Sequence, residues 1–165
     1  MQLTLLRHGI AHNRGLDGTD ATRQLTDQGA IQAAAAIQGL AKLISQPDVI
    51  FTSPLVRALQ TGSLAGATFN LTPDTLESLA YGPPSAVMED LAKLSKQNVL
   101  LVGHEPTLSQ LAEILCTGSD PVEMLRLKTS GAICVETQIN TAQAAHTGRL
   151  KWLATPVMLQ VLSQT

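Results

Sequence analysis

Aromatic side chains are nearly missing: one Trp, one Tyr and two Phe make up 2% of the 165 residues. A single-stranded nucleic-acid binder stacks bases on aromatics along a basic groove, and a chain of net charge −2 is equipped for neither. Cysteine is as scarce. Cys116 and Cys134 stand apart without C-x-x-C spacing, which argues against a metal centre or redox pair and reads as two buried free thiols. No apolar run approaches the roughly 20 residues that span a bilayer. Met1 leads straight into an apolar strand with no signal-peptide pattern, so the expected location is the cytoplasm. The motifs G-x-x-x-x-G-K-[ST], G-x-G-x-x-G, H-E-x-x-H and G-x-S-x-G are also absent, and His104-Glu105 runs into Pro106 rather than a zinc-binding helix.

What is present is an ordinary globular composition, 44% hydrophobic and 15% charged. At this length the expectation is one domain over residues 1–165, able to bury about two-thirds of its unfolded surface. The chain is organised around Leu3-Thr4-Leu5-Leu6-Arg7-His8-Gly9, an apolar run that reads as a buried strand and stops at a cation. Gly9 permits the close backbone approach that a ligand site needs. Ile10 to Gln24 reads as a loop. Thr26 is an expected N-cap for a helix carrying Ala30, Ala33, Ala34, Ile37, Leu40, Ala41 and Ile44 at helical spacing.

Asp48 to Thr52 predicts a second strand, with Ser53 as cap and Pro54 as first residue of a helix bearing Leu55, Ala58, Leu59 and Ala65. Phe69 to Leu71 reads as a short strand, Pro73 and Pro83-Pro84 as breakers, and Val87 to Leu94 as a helix. Asn98 to Val102 repeats the opening design, an apolar run ending in Gly103-His104, and Pro106 then admits a helix through Leu108, Leu111, Ala112 and Leu115. Ala132–Thr137 and Leu150–Ala154 predict a late hairpin at the sheet edge, joined by a polar turn that includes Gly148. His12 and His146 fall in polar loops and read as solvated.

Alternating strands and helices predict an α/β fold: a three-layer sandwich with a mainly parallel central sheet flanked by helices and a late antiparallel edge hairpin. In such a sheet the carboxyl ends of the strands share one edge, which is where ligands bind. Arg7 with His8, Arg57, and His104 would meet there, two helix N-termini beside them, as an anion pocket. Arginine forks match phosphate oxygens, so a phosphoryl group is the expected occupant. Neighbouring arginines should lower a histidine's pKa, leaving a ring nitrogen free either to bond the anion or to attack phosphorus.

Three segments in this order and spacing, Leu6-Arg7-His8-Gly9, Ser53-Pro54-Leu55-Val56-Arg57-Ala58-Leu59-Gln60-Thr61 and Val102-Gly103-His104-Glu105-Pro106, resemble the histidine phosphatase superfamily, also called phosphoglycerate-mutase-like. Asp20-Ala21-Thr22-Arg23-Gln24-Leu25-Thr26 with Gly29, Thr129-Ser130-Gly131-Ala132, and Trp152-Leu153 to Pro156 are similar to its short SixA-type phosphohistidine phosphatases. Ile10 and Ala11 depart from the polar residues many members carry there.

The resemblance implies that His8 is a nucleophile that becomes transiently phosphorylated. Arg7, Arg57 and His104 would hold the phosphoryl group, with Gly9 at the substrate and no metal or cofactor. It implies a general acid at Glu77, with Asp20 as rival, although a phosphohistidine substrate can dispense with one. The short connection between Gly66 and Gln97 predicts an open pocket suited to a phosphohistidine protein or a small phosphoester, with inorganic phosphate as product. A small-molecule phosphomonoesterase and a non-catalytic phosphate-binding module are the alternatives.

Overall fold

In chain order the elements are β1 (Gln2–Arg7), α1 (Asp27–Leu40), β2 (Val49–Thr52), α2 (Val56–Phe69), β3 (Asp74–Thr75), α3 (Ser78–Tyr81), α4 (Pro84–Ala92), β4 (Asn98–Gly103), α5 (Thr107–Thr117), β5 (Ala132–Glu136), β6 (Arg149–Ala154) and α6 (Pro156–Ser163). They come from a computed structural model that describes residues 1–138 and 148–165, so His146 and most of the polar turn expected before β6 lie outside the described residues.

The strands form one sheet in the order β3-β2-β4-β1-β5-β6. The first four are parallel, β5 runs antiparallel to β1, and β6 returns antiparallel to β5 as the expected edge hairpin. Because β1 and β4 sit inside the sheet with helices on both faces, both are apolar on successive residues rather than alternate ones.

Strand alternation splits the core in two. On one face Leu3, Leu5, Val99, Leu101 and Ile133 pack with Leu108, Leu111 and Leu115 of α5 and with Val87 and Leu91 of α4. On the other, Leu6, Ile50, Leu100 and Val102 pack with Ile37 and Leu40 of α1, Ala58 and Phe69 of α2, and Leu159 of α6. Arg7 shares the phase of Leu3 and Leu5, and His8 that of Leu6. Two adjacent residues therefore emerge on opposite faces of the sheet.

Several elements differ from expectation for local reasons. Phe69 closes α2 on its buried side, and Asn70, left-handed at φ 53°, ends the helix. The strand expected at Phe69–Leu71 therefore shifts to Asp74–Thr75. Pro84 starts α4 rather than breaking it, since proline suits the first helical turn. Ser53 and Pro54 precede α2, whose N-cap is Leu55 without a side-chain bond. α1 is capped as expected, Thr26 Oγ1 accepting Gly29 N–H at 2.9 Å. α6, which sequence reading passed over, carries the same signals: Thr155 caps it and Pro156 opens it. It lies on α1 at Gly39, where any Cβ would run into the Leu159 carbonyl.

Candidate active site

Pairing register brings the site together. Arg7 stands opposite Gly103 and Thr52 opposite Val102, so His8, Ser53 and His104 leave three neighbouring strands at one edge. The main chain there is tied: His8 N–H donates to Gly103 O at 3.0 Å and Ser53 N–H to Val102 O at 2.9 Å. Ser130 N–H lies 3.1 Å from both Arg7 O and His8 O, with the Ser130 backbone left-handed at φ 61°. This is the place in the fold of the Thr129–Ala132 motif.

The His8 and His104 rings lie with centroids 4.9 Å apart. His8 Nδ1 is 2.6 Å from the Gly9 carbonyl. A carbonyl only accepts, so Nδ1 carries the proton and Nε2 keeps its lone pair. Arg57 Nε, on the first turn of α2, approaches that Nε2 at 3.3 Å. The rest of the Arg57 fork is held by Asp20: Nη1 donates to its backbone carbonyl at 2.8 Å and Nη2 to its carboxylate at 2.9 Å. Asp20 in turn pairs with Arg23 at 2.8 Å.

His104 Nε2 is 2.7 Å from Ser53 Oγ. That hydroxyl accepts Leu55 N–H at 3.3 Å and can give its own proton to Nε2, the pairing in which the ring proton of His104 sits on Nδ1. Arg7 Nη1 donates to Leu127 O at 2.8 Å. Arg7 Nε and His104 Nδ1 are buried without a hydrogen-bond partner among the described residues. Buried donors are almost always paired, and two left open at one edge suit an oxyanion.

Burial, more than charge, sets the protonation of this pair. It holds the His8 pKa down at about 4, the Gly9 bond opposing and the charges of Arg57, Arg7 and Arg23 adding. His104 is held down at about 3, again by burial first and then by His8 and Arg57. The hydrogen bond from Arg23 and then that from Arg57 keep Asp20 below the usual carboxylate range.

The structure thus brings His8, Arg57 and His104 into one cluster, with Arg7 entering from the other face of the sheet. Gly9 is placed differently from expectation: its N–H goes to Thr61 Oγ1 at 3.1 Å, while its carbonyl serves His8. A side chain at Gly9 would sit 3.0 Å from Gly29 O and 3.1 Å from Ala33 Cβ. Glu77 follows β3 on the same edge, exposed, and its carboxylate makes no hydrogen bond or ion pair among the described residues. Asp20, its rival, touches Arg57 directly. The connection beyond β3 is short as expected, yet His8, Arg57 and His104 expose only 7, 6 and 9% of their surface.

Sequence reading missed Ser53, taken for a helix cap, and Thr61, whose Oγ1 donates to Arg57 O at 2.7 Å. Thr61 lies four residues after Arg57 on the same helix face, a spacing that signals contact.

The family model described as "Histidine phosphatase superfamily (branch 1)" matches residues 3–80. An uncharacterised protein of Picosynechococcus is 33% identical over 164 residues, covering 96% of this chain and 99% of that one. Phosphohistidine phosphatase SixA of Escherichia coli is 28% identical over 169 residues, covering 98% of each. Among solved structures, the protein histidine phosphatase SixA complexed with tungstate superposes with a TM-score of 0.81 at 26% identity, covering 95% of this chain and 98% of the other. The strand ends that gather two imidazoles and two guanidiniums lie within a fold and sequence shared along nearly the whole chain, which belongs to the histidine phosphatase superfamily.

Proposed function

We propose that this phosphatase works through a covalent phosphohistidine on His8 and that its substrate is a phosphohistidine side chain of a protein. The observation that carries the reading is the His8 Nδ1 contact with Gly9 O, which leaves Nε2 unprotonated in a buried, cation-lined position. Nε2 attacks phosphorus in line. The bond from phosphorus to the leaving imidazole breaks, and its electron pair stays on the departing nitrogen, which takes up one proton. Arg7, Arg57 and the Nδ1–H of His104 hold the phosphoryl oxygens as charge shifts, a role that dominates phosphoryl transfer. Water then attacks phosphorus, the bond to Nε2 breaks, and inorganic phosphate leaves with His8 restored. No step uses a metal or cofactor.

Asp20, ionised between two guanidiniums, is an electrostatic partner of Arg57 rather than a proton donor. That role falls to Glu77, the remaining acid the sequence put forward, on the same edge beyond β3. A protein substrate is supported by the full-length similarity to E. coli SixA and by tungstate, a tetrahedral oxyanion, in a SixA structure. Leu16 and Tyr81, exposed at 85 and 71%, lie on the two segments flanking the site, where a macromolecular surface would rest. The reading includes a cytoplasmic location, in keeping with two unpaired cysteines. Among the described residues no helix is long and apolar enough to cross a membrane.

The test is phosphate release, with chelator present, from a phosphohistidine protein and from a panel of phosphate esters. The expected result is turnover that favours the phosphoprotein, survives the chelator, falls in Glu77→Gln and vanishes in His8→Ala. Equal turnover by His8→Ala would overturn the nucleophile assignment, and preference for the esters would overturn the substrate.

A further inference from the structure

The Arg7 guanidinium is held by a backbone oxygen, that of Leu127, at 2.8 Å. Leu127 belongs to the stretch between α5 and β5, which contains no helix or strand of its own. Its side chain is buried in the core, but burying a side chain does not fix the path of the main chain through it. An open cleft of about 440 Å³, lined in part by Arg7, Glu105, Gln110, Leu125 and Arg126, runs beside the stretch, so solvent rather than packed side chains borders it on that side.

A polar stripe supplies the missing constraint. Ser109 Oγ accepts Leu127 N–H at 3.3 Å and donates to Glu105 Oε1 at 2.9 Å. One turn further along α5, Glu113 accepts Leu125 N–H on Oε1 at 2.6 Å and Val122 N–H on Oε2 at 2.7 Å. Positions 105, 109 and 113 recur every fourth residue and therefore share one face. Glu113 is 1% exposed and forms no ion pair among the described residues, so both oxygens of a buried carboxylate are spent on main-chain donors.

We infer that Glu113 and Ser109 are positioning residues for Arg7: they staple residues 122–127 to α5, place the Leu127 carbonyl, and so aim the guanidinium at the phosphoryl group. The inference rests on the proposed function in taking Arg7 as a phosphoryl ligand. Gln at position 113 keeps the shape but offers one acceptor, leaving its amide facing a backbone N–H. Ala at 109 removes the acceptor for Leu127 N–H, whereas Thr retains it.

Binding of inorganic phosphate, read by titration calorimetry, is measured for Glu113→Gln, Ser109→Ala and Ser109→Thr, each in the parent and in an Arg7→Ala background. Both disruptive variants should weaken phosphate about tenfold in the parent and less than about twofold once Arg7 is gone, the signature of residues acting through one partner. Ser109→Thr should stay within about twofold of the parent, the hydroxyl being retained. Equal losses in both backgrounds, or no loss in a folded Glu113→Gln, would overturn the inference. Unchanged phosphate binding in Arg7→Ala alone would instead overturn the role assigned to Arg7. If Glu113→Gln does not fold, the Ser109 pair decides the matter.

Discussion

Lowering the pH from 7 to 5 should remove about 4 kcal/mol of folding stability through two imidazoles alone. In an unfolded chain each histidine titrates near its ordinary value of about 6.5. In the folded protein His8 titrates at about 4 and His104 at about 3, because burial disfavours the charged ring. Above the unfolded pKa both states are neutral at these positions, and this stability is fully present. As the pH drops below 6.5 the unfolded chain gains a proton at each site that the folded chain refuses. Stability therefore falls, and the fall ceases only once the folded values have been passed. With about 1.4 kcal/mol per pH unit for each proton, each ring contributes about 2 kcal/mol between pH 7 and 5. Urea denaturation followed by circular dichroism at both pH values, on the parent and on His8→Asn/His104→Asn, isolates the effect. The parent should lose about 4 kcal/mol and the double variant less than about 1. A parent whose stability is flat over this interval, or a double variant with the same dependence, would refute the picture of two buried neutral rings.

The acidic limb of kcat/KM, which reports the free enzyme, should fall near pH 4 rather than 6.5; a limb at 6.5 would mean that His8 is not desolvated. Ser53→Ala should remove the 2.7 Å bond to His104, costing about 1 kcal/mol in denaturation and about tenfold or more in kcat/KM. Gly39→Ala should destabilise by about 2–3 kcal/mol, because the new Cβ meets the Leu159 main chain and forces α6 off α1. Denaturant unfolding checks it, and a parent-like midpoint would show that α6 yields without cost.

What could be read without coordinates was local. The apolar runs of β1 and β4 end abruptly at polar groups, and Thr26 precedes a helical pattern, so strand ends and cap were visible in single segments. The gathering of Arg7, His8, Arg57 and His104 followed from parallel topology, which aligns carboxyl ends. Contacts decided by side-chain direction were not visible. Ser53 looks like any helix cap until β2 and β4 set it beside His104. Asp20, in the loop after β1, reaches Arg57 across 37 positions that include α1 and β2. Glu113 sits in an amphipathic helix where an acid ordinarily faces water, and only the return of residues 122–125 explains its burial. Asn70 stops α2 through a left-handed turn that also suits many loops.

The placement of Arg7 and His8 on opposite faces means that the nucleophile and one of its charge clamps answer to different halves of the protein. His8 moves with α1 and α2, Arg7 with α5 and the chain that returns from it. Changes accumulating around α5 can retune the Arg7 grip on the anion while leaving the attacking nitrogen untouched, whereas changes around α2 act on the nucleophile and on Arg57 together. The seam between the layers, one peptide bond wide, is where the two adjustments have to agree.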